Sequence, residues 1–351
     1  MALDASSPIR LTELVSCGGC AAKFSAGMLQ SLVGTLAPDM DADLLVGLAP
    51  SDDAAVYQLD DERAVVFTVD FFPPIVDDPS TFGAIAATNA MSDVYAMGGK
   101  PLLALSVAVF PETLPLPALS AIIEGAQAKA REAGALLAGG HTLRGDEPLY
   151  GLAVVGTVAS DAIWTKAGVR QGDALYLTKP LGTGLLVHAH KNHGLAGSEL
   201  EPALEQMQTL NDRAAELVRP FGPHAVTDVT GFGLIGHAYE MAARSSVGIE
   251  LEAGALPSLP RALDLAREGV RTGGDERNRE YVGAALAVEG ADDAELGLAF
   301  DPQTAGGLLV AIDPSRAVEL EQAASAGRLF LARVGVANGP AGTVTLRSRG
   351  G

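Results

Sequence analysis

Positive charge is scarce in this 351-residue chain: 24 Lys and Arg stand against 43 Asp and Glu, a formal net charge of −19. That excludes a general basic surface for nucleic acid, because phosphate contacts need clustered Lys and Arg. An acidic chain can still take a phosphorylated ligand if divalent cations supply the positive charge. Cysteine is nearly absent. Cys17 and Cys20, three residues apart, exclude a disulfide scaffold and point to redox chemistry, metal binding or a reactive thiol. Long apolar runs are also missing. The longest, Leu102 to Phe110, has nine residues and contains a serine, against about twenty for a membrane helix. The opening Met-Ala-Leu-Asp-Ala-Ser-Ser lacks a basic region ahead of an apolar core, so a cytoplasmic location away from membranes is expected. Aromatics are few at 5%, but 48% of residues are hydrophobic, mostly Ala, Val and Leu. That composition and length suit a layered α/β or α+β protein with a sizeable core.

Residues 1–50 read as a glycine-rich N-terminal segment followed by a helix. Small residues around Cys17 and Cys20 predict a mobile loop, and a helical pattern runs from Ser25 to Leu36. The next region, 51–160, alternates strands and helices. A strand is expected over Ala64–Val69 ending at Asp70, and an alanine-rich helix over Phe82–Met97, stopped by Gly98-Gly99-Lys100-Pro101. Further strands are expected at Leu102–Phe110, Ala135–Ala138 and Leu149–Ala159, with an amphipathic helix at Leu116–Ala133. Turn residues over 161–172 place a boundary before a second domain, 161–351. There, strands are expected at Ala174–Thr178, up to Asp228, and near 248–252, 307–312, 330–337 and 343–348. Helices are expected near 182–192, 201–218 and 232–244, and 273–278 is a polar loop.

Several residues could carry chemistry. Ser51-Asp52-Asp53 precedes small residues that let a bulky ligand approach, although alone it reads as an acidic turn. Asp70 ends an apolar strand, a place that feeds sites in layered folds, or else it is a cap. Asn89 and Asp93 share one face of an apolar helix, where burial without partners is costly, so a ligand or metal is favoured. Gly139-Gly140-His141-Thr142 after a short strand could cradle phosphate oxygens. Asp228 again puts a carboxylate at a strand end, whereas Asp301 reads as part of a turn. A zinc site is not expected, since no second cysteine pair exists and the six histidines are scattered. If Cys20-Ala-Ala-Lys23 opens a helical turn, Lys23 favours the Cys20 thiolate, which suits a soft atom such as sulfur or selenium. Together the carboxylates, glycine turn and lysine suggest Mg²⁺ and phosphoryl transfer from a nucleotide, without a P-loop or a kinase-type catalytic loop.

These stretches, in this order, resemble the selenophosphate synthetase (selenide, water dikinase) family over essentially the whole chain. The matching segments are Cys20–Lys23, Ser51–Val56, Thr68–Phe72, Ala86–Asp93, Ala96–Pro101, Leu137–His141, Thr227–Leu234 and Asp301–Leu308. The resemblance implies two α+β domains of the aminoimidazole-ribonucleotide-synthetase-like type. It also implies a homodimer whose N-terminal sheets form a barrel, and conversion of ATP, selenide and water to selenophosphate, AMP and phosphate. By position it implies Cys20 and Lys23 as catalytic, and Asp53, Asp93 and Asp228 as Mg²⁺ ligands. It implies nucleotide contacts at Lys23, Pro50, Ser51, Asp52, Asp70, Asp93, Gly140, His141 and Thr142. A separate protein could deliver the selenium. The chain departs from many members in having Ala22 where a second Cys precedes the Lys, so no task falls to Cys17.

Overall fold

The computed structural model describes residues 10–15, 32, 36, 41–48 and 51–348. Cys17, Cys20, Lys23 and Pro50 lie outside the described residues, as does nearly all of the helix expected over Ser25–Leu36. Two sheets organise the rest. The first has the order β1-β2-β3-β6-β4-β5, from β1 (Leu44–Val46), β2 (Ala55–Gln58), β3 (Arg63–Phe72), β4 (Lys100–Phe110), β5 (Leu136–Arg144) and β6 (Leu149–Ala159). Its pairings are antiparallel except for β4 with β5. The second has the order β10-β13-β9-β12-β7-β11-β8, from β7 (Ala174–Leu177), β8 (Ala225–Asp228), β9 (Ile249–Glu252), β10 (Leu286–Glu289), β11 (Leu308–Ile312), β12 (Ala332–Ala337) and β13 (Val344–Arg347).

Two helices, α1 (Pro79–Ala96) and α2 (Leu116–Glu132), belong to the first half. The second half carries α3 (Thr183–Asn192), α4 (Gly197–Met207), α5 (Asp212–Val218), α6 (Gly233–Ser245), α7 (Ala262–Arg267), α8 (Asp275–Val282), α9 (Asp293–Phe300) and α10 (Ala317–Gly327). The helix expected across 201–218 is two helices, broken where Asn211 turns inward and binds Ser92 and the Gly306 carbonyl. The polar stretch at 273–278 enters α8, held by Arg279 on Asp275 and by Asn278 on the carbonyls of Gly231 and Phe300.

α1 begins where Asp78 caps it by accepting from Thr81 N at 2.8 Å, with Pro79 pre-set for the first turn. It stops at Gly98, whose φ of 76° suits a residue without Cβ. Between these ends it is apolar on every side and nearly all buried, as expected of a helix enclosed by neighbours. It packs on β3, β4 and β6, on α2, and on β8 of the second sheet. The α1–α2 crossing is close because two glycines face it. A Cβ on Gly83 would lie 1.8 Å from the Ile122 carbonyl oxygen, and one on Gly125 would lie 2.0 Å from that of Ser80.

Strand β3 alternates strictly toward its end. Thr68, Asp70 and Phe72 are buried toward α1, while Phe67, Val69 and Phe71 point away and are 51%, 55% and 43% exposed. Leu105 of β4 and Leu143 of β5 are likewise exposed large apolar residues. Gly83→Ala should destabilise the protein by about 2 kcal/mol net, overpacking at the crossing being offset in part by better helix propensity. Urea unfolding measures it, and an unchanged midpoint would mean that the helices can separate freely.

Candidate active site at the junction of the two sheets

Three elements bring the carboxylates together. The period of β3 turns Thr68 and Asp70 toward α1, and α1 presents Asn89 and Asp93 back. β8 is the outer strand of the second sheet, buried at every position under α1, and it ends at Asp228. Thr68 Oγ1 donates to Asp93 Oδ2. Burial pushes the Asp93 carboxyl well above its ordinary value, and the charges of Asp228, Asp70 and Asp53 push the same way. Burial and the Asp53 charge raise Asp228 to about 6, against the Ser92 hydroxyl beside it. Asp52 is also raised to about 6, by burial first and then by Asp53.

Lys166 holds the Asp52–Asp53 pair. Its backbone N–H donates to Asp52 Oδ2 at 3.0 Å, and its ammonium lies 2.8 Å from Asp53 Oδ1 and 3.3 Å from Glu240 Oε2. Burial alone would pull this ammonium down. Asp53, Glu240 and Asp52 reverse that and keep it charged. Burial pushes Glu240 up, but Lys166 and His237 hold it down at about 2. Thr230 N donates to His237 Nε2 at 3.1 Å, which leaves the ring proton on Nδ1, 3.4 Å from Glu240. This chain of contacts pins the 228–233 loop to Asp53, helped by Thr227 Oγ1 donating to Asp53 Oδ1 at 3.2 Å. Lys166 and Glu240 were not found among the sequence candidates. Lys166 lies in the turn-rich stretch 161–172 that marks the domain boundary, and its partners are more than seventy residues away in the chain.

Asn89, expected to face a ligand, is instead a bridge. Its amide donates to Asp70 Oδ2, and its Oδ1 accepts from Ala305 N at 2.8 Å. Asp301 lies in the loop before β11, as expected of a turn, but its side chain is buried, accepting from Gly184 N and Gln303 Nε2. Gly140, His141 and Thr142 do not form a turn. They continue β5 as an exposed outer strand, in register with Ser106, Val107 and Ala108 of β4. Gly140 is required there because a Cβ would lie 2.3 Å from the Ser106 carbonyl oxygen. Three strand spacings, about 14 Å, separate β5 from β3, so one chain does not bring these residues to the aspartates. Ser51 is exposed and accepts from Arg244 at 3.3 Å.

Among the described residues, no three acidic, His or Cys side chains form a ready-made metal cage. Mg²⁺ does not ask for one: it uses one or two carboxylates and fills its other positions with water and phosphate oxygens. The buried Oδ2 atoms of Asp53 and Asp228 have no hydrogen-bond partner. Two such oxygens beside an overcharged carboxylate group are a deficit that a hard cation fits.

The AIR synthase related protein family matches this chain in both of its parts, its N-terminal domain over residues 51–158 and its C-terminal domain over 170–347. Fold and site therefore define an AIR synthase related protein with mixed α+β halves. Within that class, the chain belongs to the selenide, water dikinase family. It is 46% identical over 329 residues to the selenide, water dikinase of Pelobacter propionicus, covering 93% of this chain and 94% of that one. For the protein of that name from Carboxydothermus hydrogenoformans the identity is 43% over 341 residues, covering 97% and 99%. The fold is shared with thiamine-monophosphate kinase from Stenotrophomonas maltophilia (TM-score 0.65, 23% identity, covering 93% of this chain and 96% of that one). It is also shared with the hydrogenase maturation protein HypE in complex with ATP (TM-score 0.60, 19% identity, covering 93% and 92%).

Lys166→Met should cost about 3–5 kcal/mol of stability, because it strands Asp53 and Glu240 as buried charges. Urea unfolding measures it, and a loss below about 1 kcal/mol would mean that water reaches the pair. Asp301 gives a pH signature. Burial raises it to about 8, so the folded chain keeps its proton where the unfolded chain has lost it. Its contribution to stability is full below the unfolded value of about 3.8 and is lost as pH rises to about 8. Asp301→Asn should therefore gain on the parent protein between pH 5 and pH 9; a constant difference in unfolding free energy would refute the shift.

Proposed function

We propose that this chain is a selenophosphate synthetase that turns ATP, selenide and water into selenophosphate, AMP and phosphate, the selenium donor for selenocysteine and selenouridine synthesis. The observation that carries this is the pair of unpartnered carboxylate oxygens on Asp53 and Asp228 beside Asp93, in a chain of the selenide, water dikinase family. The products require two phosphoanhydride bonds to break, one phosphoryl group ending on selenium and the other on water. Asp53, Asp93 and Asp228 are the groups that would hold Mg²⁺, which when bound offsets the charge of the triphosphate and of the phosphoryl group in transfer. Lys166 keeps Asp53 Oδ1 occupied and leaves Oδ2 for the cation. Asn89 fixes Asp70 at the nucleotide. Ser51, Asp52 and Asp93 line the nucleotide side with Pro50, and Lys23 brings an ammonium to the phosphates. Cys20, made a thiolate by that same ammonium, orients hydroselenide by accepting a hydrogen bond from its Se–H, so that selenium attacks the phosphoryl group with no S–Se bond formed and no change of oxidation state.

The working unit is a homodimer. The apolar outer face of the first sheet, with Phe67, Val69, Phe71, Leu105 and Leu143 exposed, is what a sheet-to-sheet barrel would cover. A second copy could also approach the outer strand β5 with Gly140, His141 and Thr142. Residues 1–50 act as a catalytic N-terminal segment, 51–160 as the ATP- and Mg²⁺-binding domain and 161–351 as the second domain. The enzyme works in the cytoplasm, away from membrane and nucleic acid, and accepts selenium free or from a delivery protein. No helix among the described residues is long and apolar enough to cross a membrane.

An anaerobic assay of the pure protein should show AMP formation that depends on selenide and Mg²⁺, with selenophosphate visible by ³¹P NMR. Cys20→Ser and Lys23→Ala should fold normally and lose at least about 100-fold in turnover. ADP as the nucleotide product, or AMP formed at the same rate without selenide, would overturn the proposal.

A further inference from the structure

We infer that Asp77 and Lys191 are positioning residues for the Cys20–Lys23 segment, which they serve by clasping the stretch of chain that leads into it; the inference rests on the roles proposed above for Cys20 and Lys23. That stretch, Leu11–Leu14 with Val15, is one turn of 3-10 helix. A single turn leaves most of its backbone groups without internal partners. Asp77 and Lys191 supply them. Asp77 Oδ1 accepts from both Thr12 N at 3.0 Å and Thr12 Oγ1 at 2.6 Å. Lys191 Nζ donates to the carbonyls of Thr12 at 2.9 Å and Val15 at 3.4 Å.

The two residues come from different halves of the molecule. Asp77 stands between β3 and α1, next to the capping Asp78. Lys191 is in the last turn of α3, where a cation is favoured by the helix dipole. Leu11 adds an apolar anchor, being fully buried in the core. A cavity of about 860 Å³ runs alongside, lined by Thr12, Val15, Asp77, His190 and Lys191. Leu11 and Leu14 pack on the core, and the four polar contacts tie the backbone of the stretch to both halves of the molecule.

Position matters because Cys20 follows Val15 by five residues and Lys23 by eight. At about 3.5 Å per residue, the thiol-bearing residue stays within ~18 Å of Val15 and the lysine within ~28 Å. The clasp fixes the origin of that tether. Freeing it lengthens the tether, which lowers the effective concentration of thiol and ammonium at the phosphates. Nucleotide binding by the aspartate side does not depend on that tether, so the loss falls on turnover.

The test uses the full-length protein in the selenide-dependent AMP assay, with Lys191→Ala, Lys191→Arg, Asp77→Ala and Thr12→Val beside Cys20→Ser and Lys23→Ala. Lys191→Ala and Asp77→Ala should each lower kcat about fivefold, with KM for ATP changed by less than about twofold. Lys191→Arg, which keeps donors in reach, should recover most of the turnover. Thr12→Val removes one hydroxyl contact without touching either clasping residue, so a smaller loss of kcat in a protein of unchanged melting temperature separates positioning from folding. Unaltered kcat in Lys191→Ala and Asp77→Ala, with Cys20→Ser and Lys23→Ala inactive, overturns the clasp and leaves the proposed function standing. A KM increase as large as the kcat loss also overturns it. Full turnover by Cys20→Ser and Lys23→Ala overturns the proposed roles themselves.

Discussion

Lys166 Nζ sits between Asp53 and Glu240 with all three side chains almost out of solvent. Asp53 comes from the connection between β1 and β2 and Glu240 from α6, so one ammonium ties the two halves at the point where their carboxylates converge. Buried charges of this kind are tolerated only as a satisfied set. The set here extends through His237 to Thr230 and through Thr227 back to Asp53. It fixes the loop after Asp228 and aims one Asp53 oxygen inward. The arrangement is less a source of stability than a constraint that makes a single geometry of the site affordable.

α1 supplies the other half of that constraint. An apolar helix enclosed on all sides can carry polar groups only where each meets a partner. Asn89 meets Asp70 and Ala305, Ser92 meets Asn211, and Asp93 meets Thr68. Glycines at the α2 crossing hold the helix at one depth, and β8 closes over it from the second half. The aspartates therefore stand on a strand and a helix whose positions are fixed by packing, which is what precise placement of phosphates requires.

Much of this was legible from periodicity and punctuation. The alternation of β3 and the glycine–proline stop after α1 both announce their elements, and the carboxylates at strand ends announce a site. What escaped was set by distant partners or by exceptions to local pattern. Lys166 is an unremarked lysine among turn residues until Asp53 and Glu240 are brought to it. Asp275–Val282 has too polar a sequence to show a helical stripe, and it owes its place to Asn278 and Arg279. The glycine pair at 139–140 reads as a turn, yet pairing with β4 carries the strand on to Arg144. Asn211 breaks a run that otherwise looks continuous, because its amide has partners in α1 and at Gly306.

The outward face of the first sheet has a consequence for assembly kinetics. Phe67, Val69 and Phe71 form an adhesive strip on a chain that carries a net charge of −19. Attraction over that strip is short-ranged and insensitive to salt, whereas repulsion between like-charged molecules reaches about a Debye length, roughly 8 Å at physiological ionic strength. Any acidic molecule that settles on the face must first cross that repulsion. Ionic strength therefore governs how fast the face is covered more than how firmly it is held.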